Sequence, residues 1–359
     1  MNYHALLAHY PKITYTRYKK LTSYFSDISK VWEAELTDLI RAGLDDTIAH
    51  EFLTWRETTD HEKILENLRR ENITTISLGE PGYPELLSHI SDPPHTLFIR
   101  GSLPKHDLPS IAIVGTRHHT TYGKQVTEDL SYELARKGLG IVSGLALGID
   151  GIAHEAALKA QGITIAVLGS GIDRTTVYPA SHQNLAERII FQGGAIISEY
   201  PPGFRPTTYS FPARNRIVAG LTLGTLVTEA PLESGALITT RCALDYNREV
   251  MAVPHPITSE AGQGANKLIQ RGAALITCAE DVLEVLNIKN IKELIDNRST
   301  LPATPTEATI LQTLSKEPVH IDVIIKLTGL SSAIVMSTMT LMEMKGRVRN
   351  TGGMMYIIT

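Results

Sequence analysis

The chain has 359 residues, 43% of them hydrophobic, and a formal net charge of −4. Such a chain can bury a core of roughly two to three domains, which excludes a disordered protein. No apolar run approaches the roughly 20 residues that span a bilayer, and the start "MNYHALLAHYPK" has no basic stretch followed by an apolar one. The slight acidity excludes a general cationic coat, so any contact with nucleic acid needs a local basic surface.

Residues 1–78 read as a small all-α domain. "SKVWEAELTDLIRAG", "DDTIAHEFLTWRE" and "TDHEKILENLRREN" carry apolar residues at helical spacing, with Gly43 and Asn72 as stops. The segment "GEPGYPELLSHISDPPHTLFIRGSLPKHDLPS" is rich in proline and glycine and is expected to hold no long regular element.

From Ile111 the pattern changes. "IAIVGTR", "LGIVSGLALG", "ITIAVLGSG", "GAIISEYPPG", "GTLVTEAPLESG", "EVMAVP" and "AALIT" are short, nearly continuous apolar runs. Helical stretches such as "YGKQVTEDLSYELARKG" and "DGIAHEAALKAQG" separate them. Apolar strands alternating with helices predict a mainly parallel sheet covered on both faces, an α/β, Rossmann-like, doubly wound domain over residues 79–288. In such sheets ligands bind beyond the carboxyl ends of the strands, where Gly115, Thr116, Arg117, Gly144, Gly169, Ser170, Gly171 and Glu229 fall. A polar linker, 289–305, precedes residues 306–359, whose three helical stretches and "GRVRNTGGMMYIIT" hairpin predict a winged helix. Cys242 and Cys278 are too far apart for a metal knuckle and are expected to be buried core thiols of a cytoplasmic protein.

Familiar chemistries do not fit. After Gly169-Ser170-Gly171 the third glycine of a dinucleotide fingerprint is replaced by Arg174. Seven residues separate Gly115 from Gly123, and Gln125 follows Lys124, which departs from a P-loop. Leu158 stands where a zinc helix beginning at His154 needs its second histidine. Ser143 lacks the glycine-flanked elbow of a hydrolase. No metal, nucleotide cofactor or catalytic centre is expected.

What remains is a set of anion-binding features. Gly-Thr and Gly-Ser pairs before helices offer backbone N–H groups to phosphates, and Arg117 adds a guanidinium fork. "FPARNR" supplies Phe211, Arg214, Asn215 and Arg216, in a stretch from Tyr200 to Thr228 without Asp or Glu. A basic groove with an aromatic ring suits single-stranded nucleic acid. The alternative is structural: Arg214 and Arg216 paired with Glu199 and Glu229, and Phe211 in the core.

Together, "YPELLSHISDPPHTLFIRG", "IAIVGTRHHTTYG", "SGLALGIDGIAHEAAL", "TIAVLGSGID", "VYPASHQNLAERI", "FPARNRIVAGL" and "EAPLESGALITT" follow the order and spacing of the DNA processing protein A family (DprA, or Smf), which the chain resembles from about Gly82 to Thr277. The resemblance implies a non-enzymatic homodimer that binds and protects incoming single-stranded DNA in natural transformation and loads the RecA recombinase. It implies that Arg117, Arg214 and Arg216 hold the DNA backbone and that the glycine loops at 115, 144 and 169–171 line the pocket. "NKLIQRGAALI" resembles the self-pairing region, which makes Ile269 and Leu275 expected dimer contacts. Two departures stand out: Ala180 and Ser181 replace a basic residue common in relatives, leaving His182 as the substitute, and His255 replaces a glycine.

Two other readings stay open. Glu229 could assist glycosidic cleavage, as in the nucleoside-monophosphate-cleaving enzymes that share this sheet, although their "PGGxGTxxE" run is absent. The winged helix could read duplex DNA, but "SSAIVMSTMTLMEM" carries no Lys or Arg before Lys345. A protein-contact role fits it better, with Met336, Met339, Met342 and Met344 as partner surface or as core.

Overall fold

The computed structural model describes residues 2–104, 108–288, 305–314, 318–344 and 348–358, and the chain divides into two compact units, Met1–Lys289 and Asn290–Thr359. The first unit begins with six short helices, α1 to α6: Tyr3–Ala8, Tyr15–Tyr24, Ser29–Glu33, Leu36–Arg41, Asp46–Thr58 and His61–Arg70. Asn2, Thr14 and Asp60 accept backbone N–H groups in the first turns of α1, α2 and α6, as N-caps do. Leu7, Leu21, Val31, Leu39 and Phe52 are buried among these helices. The helical segment does not stand apart, because Ala5, Ala8, Leu68 and Ile73 share an apolar cluster with Phe98, Leu185, Ile189 and Ile196.

The proline-rich segment is more regular than its composition predicts. It supplies α7 (Glu85–Ser88) and β2 (Thr96–Gly101), and β1 (Thr74–Ser77) precedes it within the stretch read as helical. β1 pairs antiparallel with β2, and β2 antiparallel with β6, so both join the sheet from one edge. The six-residue β2 fits between Pro94 and Pro104, which would break a longer element.

The doubly wound part runs β3 (Ser110–Val114), α8 (Thr121–Arg136), β4 (Gly140–Ser143), α9 (Ile149–Lys159), β5 (Thr164–Val167), α10 (Gln183–Phe191) and β6 (Ala195–Ser198). It continues α11 (Ser210–Gly220), β7 (Gly224–Val227), α12 (Ala236–Asp245), β8 (Glu249–Ala252), α13 (Gln263–Gln270), β9 (Ala274–Leu275) and α14 (Ala279–Val285). The strand order is β1-β2-β6-β5-β4-β3-β7-β8-β9, with every pair from β6 to β9 parallel. β3 to β6 are buried along their whole length, which is why their sequences are apolar without alternation. α8 turns Gly123, Thr127, Leu130 and Leu134 inward at helical spacing. Truncating the fully buried Leu134 to alanine would cost about 2–5 kcal/mol through lost burial and the cavity left behind. Cys242 and Cys278 are half-buried rather than core: one lies on the flank of α12 and the other is the N-cap of α14.

The second unit is a winged helix. Helices Pro305–Leu311, Ile321–Thr328 and Ser332–Met344 pack with a three-stranded sheet in the order β10 (Val319–His320), β12 (Met355–Ile358), β11 (Val348–Gly352). Ile310, Ile324, Val335, Met339 and Met342 form its core, so two of the four methionines are packing residues, while Met336 is half exposed. Residues 289–304, with most of the expected linker, and Lys345 and Arg347 lie outside the described residues. Among the described residues no single helix is long and apolar enough to cross a membrane.

Candidate nucleic-acid interface

The chain leaves β3 in one direction through β4, β5 and β6, and returns to its other side at β7, so the crevice between β3 and β7 is the switch point where α/β sheets bind ligands. Here the chain's own Glu229 occupies that position. Its carboxylate accepts from the Thr120 N–H at 2.7 Å and the Thr120 hydroxyl at 2.6 Å, at the start of α8. The side chain is completely buried, with the His255 Nδ1 at 4.0 Å. Only glycine fits opposite it, since a Cβ on Gly123 would lie 2.2 Å from Glu229 Oε2. The N-cap residue of α8 thus already gives its amide and its hydroxyl to a carboxylate, next to the positive end of the helix. Glu229 is thereby held away from solvent with its oxygens on Thr120.

A second carboxylate fills the next position. Asp150, in the first turn of α9, accepts from Gly144 N at 3.1 Å and Ala146 N at 3.4 Å. Burial pushes its carboxyl up from the ordinary range, against the opposing pull of Arg214 and the two amides. Arg214 is also buried, with 5% of its surface exposed. Its Nη1 donates to the Gly144 carbonyl at 2.6 Å and to the Val167 carbonyl, and its Nε to Asn215 Oδ1 at 3.2 Å. Burial lowers this guanidinium to about 10, partly offset by Asp150 and reinforced by the nearby charge of Arg117. Arg214 therefore forms the floor of the strand ends, and the expectation that it grips a DNA backbone directly does not fit this placement.

Arg216 is engaged as well. It meets Glu199 fork to fork, at 2.8 and 2.7 Å, with Asp92 at 3.3 Å, and is 15% exposed. This is the ion pair that the structural alternative anticipates, although its Glu229 counterpart pairs elsewhere. Asn215 is half-buried and donates to the Gly235 carbonyl at 3.4 Å.

Arg117 differs from both. It is exposed, forms no ion pair among the described residues, and holds its guanidinium 5.5 Å from the centre of the Phe211 ring. Tyr178 packs against the same ring, centroids 5.5 Å apart, and is 48% exposed. Tyr209, just before α11, is 85% exposed. Tyr200 and Phe204 stack at 4.3 Å in the loop between β6 and α11, which also carries the exposed Arg205. Tyr178, Tyr209 and Arg205 are not among the residues singled out from the sequence. No local pattern distinguishes an exposed tyrosine from a core one, because exposure depends on which elements cover it.

The glycine loops sit lower than expected. Gly144, Gly169, Ser170 and Gly171 are buried, Thr116 is 8% exposed and Gly115 is half-buried. Thr116 N donates to the Glu229 carbonyl at 2.8 Å, and its hydroxyl accepts from His118 N at 3.1 Å. Gly171 N donates to the Phe204 carbonyl at 2.9 Å. These residues shape the surface more than they face solvent. His182 is half-buried with Nδ1 2.9 Å from the Leu145 carbonyl. The buried His255 places Nε2 2.8 Å from the Thr228 carbonyl. At the sheet edge, Leu275 on β9 is 49% exposed, while Ile269 is half-buried against the core.

Residues 74–287 match the family described as DNA recombination-mediator protein A, and residues 296–354 match the DprA winged helix domain. Fold and sequence therefore define a DNA-processing protein of the recombination-mediator class. The chain is 45% identical to protein Smf of Escherichia coli over 221 residues, 61% of this chain and 58% of that protein. It is 32% identical to protein Smf of Synechocystis over 94% of each chain. Among solved structures, DNA processing protein A from Streptococcus pneumoniae superposes with a TM-score of 0.68 at 34% identity, covering 79% of this chain and 98% of that one. The Helicobacter pylori protein, whose structure describes a single-stranded DNA binding mode, superposes at 0.53 with 33% identity, covering 63% and 97%. The chain belongs to the DprA/Smf family.

Proposed function

We propose that this protein binds single-stranded DNA without catalysis, protects it, and passes it to the RecA recombinase in natural transformation, as a cytoplasmic homodimer. The observation that carries the reading is Arg117, an exposed cation with no ion pair among the described residues, held over Phe211 beside Tyr178. A guanidinium next to accessible rings supplies a phosphate contact and stacking faces together, the combination that binds single strands with little regard to sequence. The Helicobacter relative's single-stranded DNA binding supports the reading by similarity. Phe211, Tyr178 and Tyr209 take bases and Arg117 takes the backbone, while Gly115, Thr116, Gly144, Gly169, Ser170, Gly171, Arg214, Asn215 and Arg216 build the surface beneath. Leu275 and Ile269 belong to the self-pairing edge, where the two-residue strand β9 leaves one side unpaired in the single chain.

The test is a titration of fluorescent single-stranded oligonucleotide, with duplex of the same sequence as competitor, at two salt concentrations. Tight, salt-sensitive binding that duplex does not displace is the expected result. Equal affinity for both forms, or release of base from mononucleotides, would overturn it.

A further inference from the structure

Arg214 and Asp150 are both buried at the strand ends, too deep to touch a bound strand, yet the contacts they make lead to Arg117. We propose that they form a positioning pair that braces the Arg117 loop from inside, an inference that rests on the single-stranded DNA reading above.

The contacts run in sequence. Arg214 joins the carboxyl ends of β4 and β5 by donating to the Gly144 and Val167 carbonyls. Asp150 Oδ2 takes the amides of Gly144 and Ala146, so the turn after β4 is held from both sides of its peptide planes. That turn is unusual for its residues: Leu145 has φ +58° and Gly148 φ +78°. From there Ile149 N donates to the carbonyl of Thr116 at 3.2 Å, one residue before Arg117. Gly148 lies so close that a Cβ would come within 2.4 Å of the Thr116 carbonyl oxygen and 2.7 Å of that of Arg117. The other end of the same loop is tied to Glu229 through Thr120. Arg117 is therefore carried on a segment fixed at both ends by buried carboxylates, with Arg214 setting the height of one support.

The chemistry of the pair suits this role. A planar guanidinium bonds two carbonyls that diverge from neighbouring strands, whereas a lysine ammonium offers a point charge on a flexible stem. Asp150 adds a nearby opposite charge that partly offsets the burial of the guanidinium, without an ion pair between them among the described residues. A residue that grips phosphate would be expected to keep its donors free, whereas Nη1 of Arg214 is committed to two backbone carbonyls and Nε to the Asn215 side chain.

The experiment uses the full chain and a fluorescent oligothymidylate, with Arg117→Ala, Arg214→Lys, Asp150→Asn and the double variants that combine each of the latter two with Arg117→Ala. Arg214→Lys and Asp150→Asn are each expected to weaken binding roughly tenfold, the loss of one or two hydrogen bonds, with the salt slope falling toward that of Arg117→Ala because the contact they support is lost. Neither should weaken binding further once Arg117 is alanine. A direct phosphate contact by Arg214 would instead lower the slope by about a further 0.7 in the double variant and add to the Arg117→Ala loss, which would overturn the proposal. Asp150→Asn keeps the side chain's size and carries the test if Arg214→Lys does not fold.

Hydrogen exchange of the protein without DNA gives an independent readout. The amides of Thr116, His118 and Thr120 are hydrogen-bonded and should exchange faster in both variants, while those of α13 stay unchanged. Unaltered exchange at 116–120 would sink the brace whatever the DNA result. Faster exchange in a protein whose wild type binds no single strand would retain the brace and remove the DNA reading.

Discussion

Arg216 and Glu199 meet as two parallel hydrogen bonds of 2.8 and 2.7 Å, 17 residues apart in sequence and both shielded from water. The pair ties α11 to the end of β6, and Asp92 adds a third contact from the proline-rich segment. Replacing Arg216 by alanine would leave the half-buried Glu199 without its partner, at a cost of about 2–3 kcal/mol, the scale of lost charge-assisted hydrogen bonds. Thermal unfolding should register that loss. The salt dependence of DNA binding by the remaining folded protein should not change, and a slope lowered as far as by Arg117→Ala would show that Arg216 touches phosphate after all.

Arg117→Ala should behave in the opposite way. The side chain is exposed and, among the described residues, engages the face of Phe211, so its removal should leave the melting temperature within a degree or two, as is usual for surface substitutions. Affinity for single strands should fall roughly tenfold and the salt slope by about 0.7.

The rings should separate from the charge. Phe211→Ala and Tyr178→Ala remove stacking surface worth about 1–3 kcal/mol per base without removing a cation. Binding isotherms at several salt concentrations should therefore shift in parallel. A change of slope in either variant would mean that the ring acts by positioning Arg117.

Gly123→Ala tests the closed switch point. The new methyl would meet the carboxylate of Glu229 at 2.2 Å in a site that has no room to yield. A loss of about 2–4 kcal/mol is expected, in the range of overpacking combined with a broken charge-assisted bond. Urea unfolding followed by near-ultraviolet circular dichroism measures it, and a neutral substitution would show that Glu229 is free to move.

Acid sensitivity should trace to His154. The ring is fully buried, its Nδ1 is 2.7 Å from the Thr164 hydroxyl, and burial, reinforced by the charges of His182 and Arg214, holds it down to about 3. The unfolded chain takes up a proton near the ordinary value of 6.5, and the native chain does not until about 3. The stability present above pH 6.5 is therefore lost as pH falls between these values, by about 2 kcal/mol on going from 6.5 to 5. A His154→Gln variant should show a correspondingly flatter dependence in unfolding titrations over that range.

Deleting the winged helix at Ile288 should leave single-strand affinity within about twofold, because Ser332–Met344 carries no lysine or arginine to hold phosphates. An equilibrium titration of the truncated chain decides this. A large loss would bring the winged helix into DNA binding.

The strand-and-helix order from Ile111 to Ile276 was legible in the sequence, since strands covered on both faces must be apolar at nearly every position and their glycine ends mark the turns. β1 and β2 were not. They are short, and they are strands because β6 offers β2 an edge and β2 in turn offers one to β1. The winged helix was legible in the same way, from three amphipathic stretches and a Gly-Gly hairpin.

The candidate site divides along a similar line. The sequence by itself determined that three arginines gather near the strand ends of an acidic protein, because the motif order places them there. It could not determine which of them remains a free cation. Arg214 spends Nη1 on carbonyls 70 and 47 residues away, and Arg216 pairs with a glutamate brought alongside by the neighbouring strand. Arg117 alone of the three stays exposed, facing an aromatic ring. A charge's type is local, but its partner is set by long-range packing, and burial without water makes such partners obligatory. Only the tertiary structure decided that two of these arginines hold the protein together and one is left to meet something else.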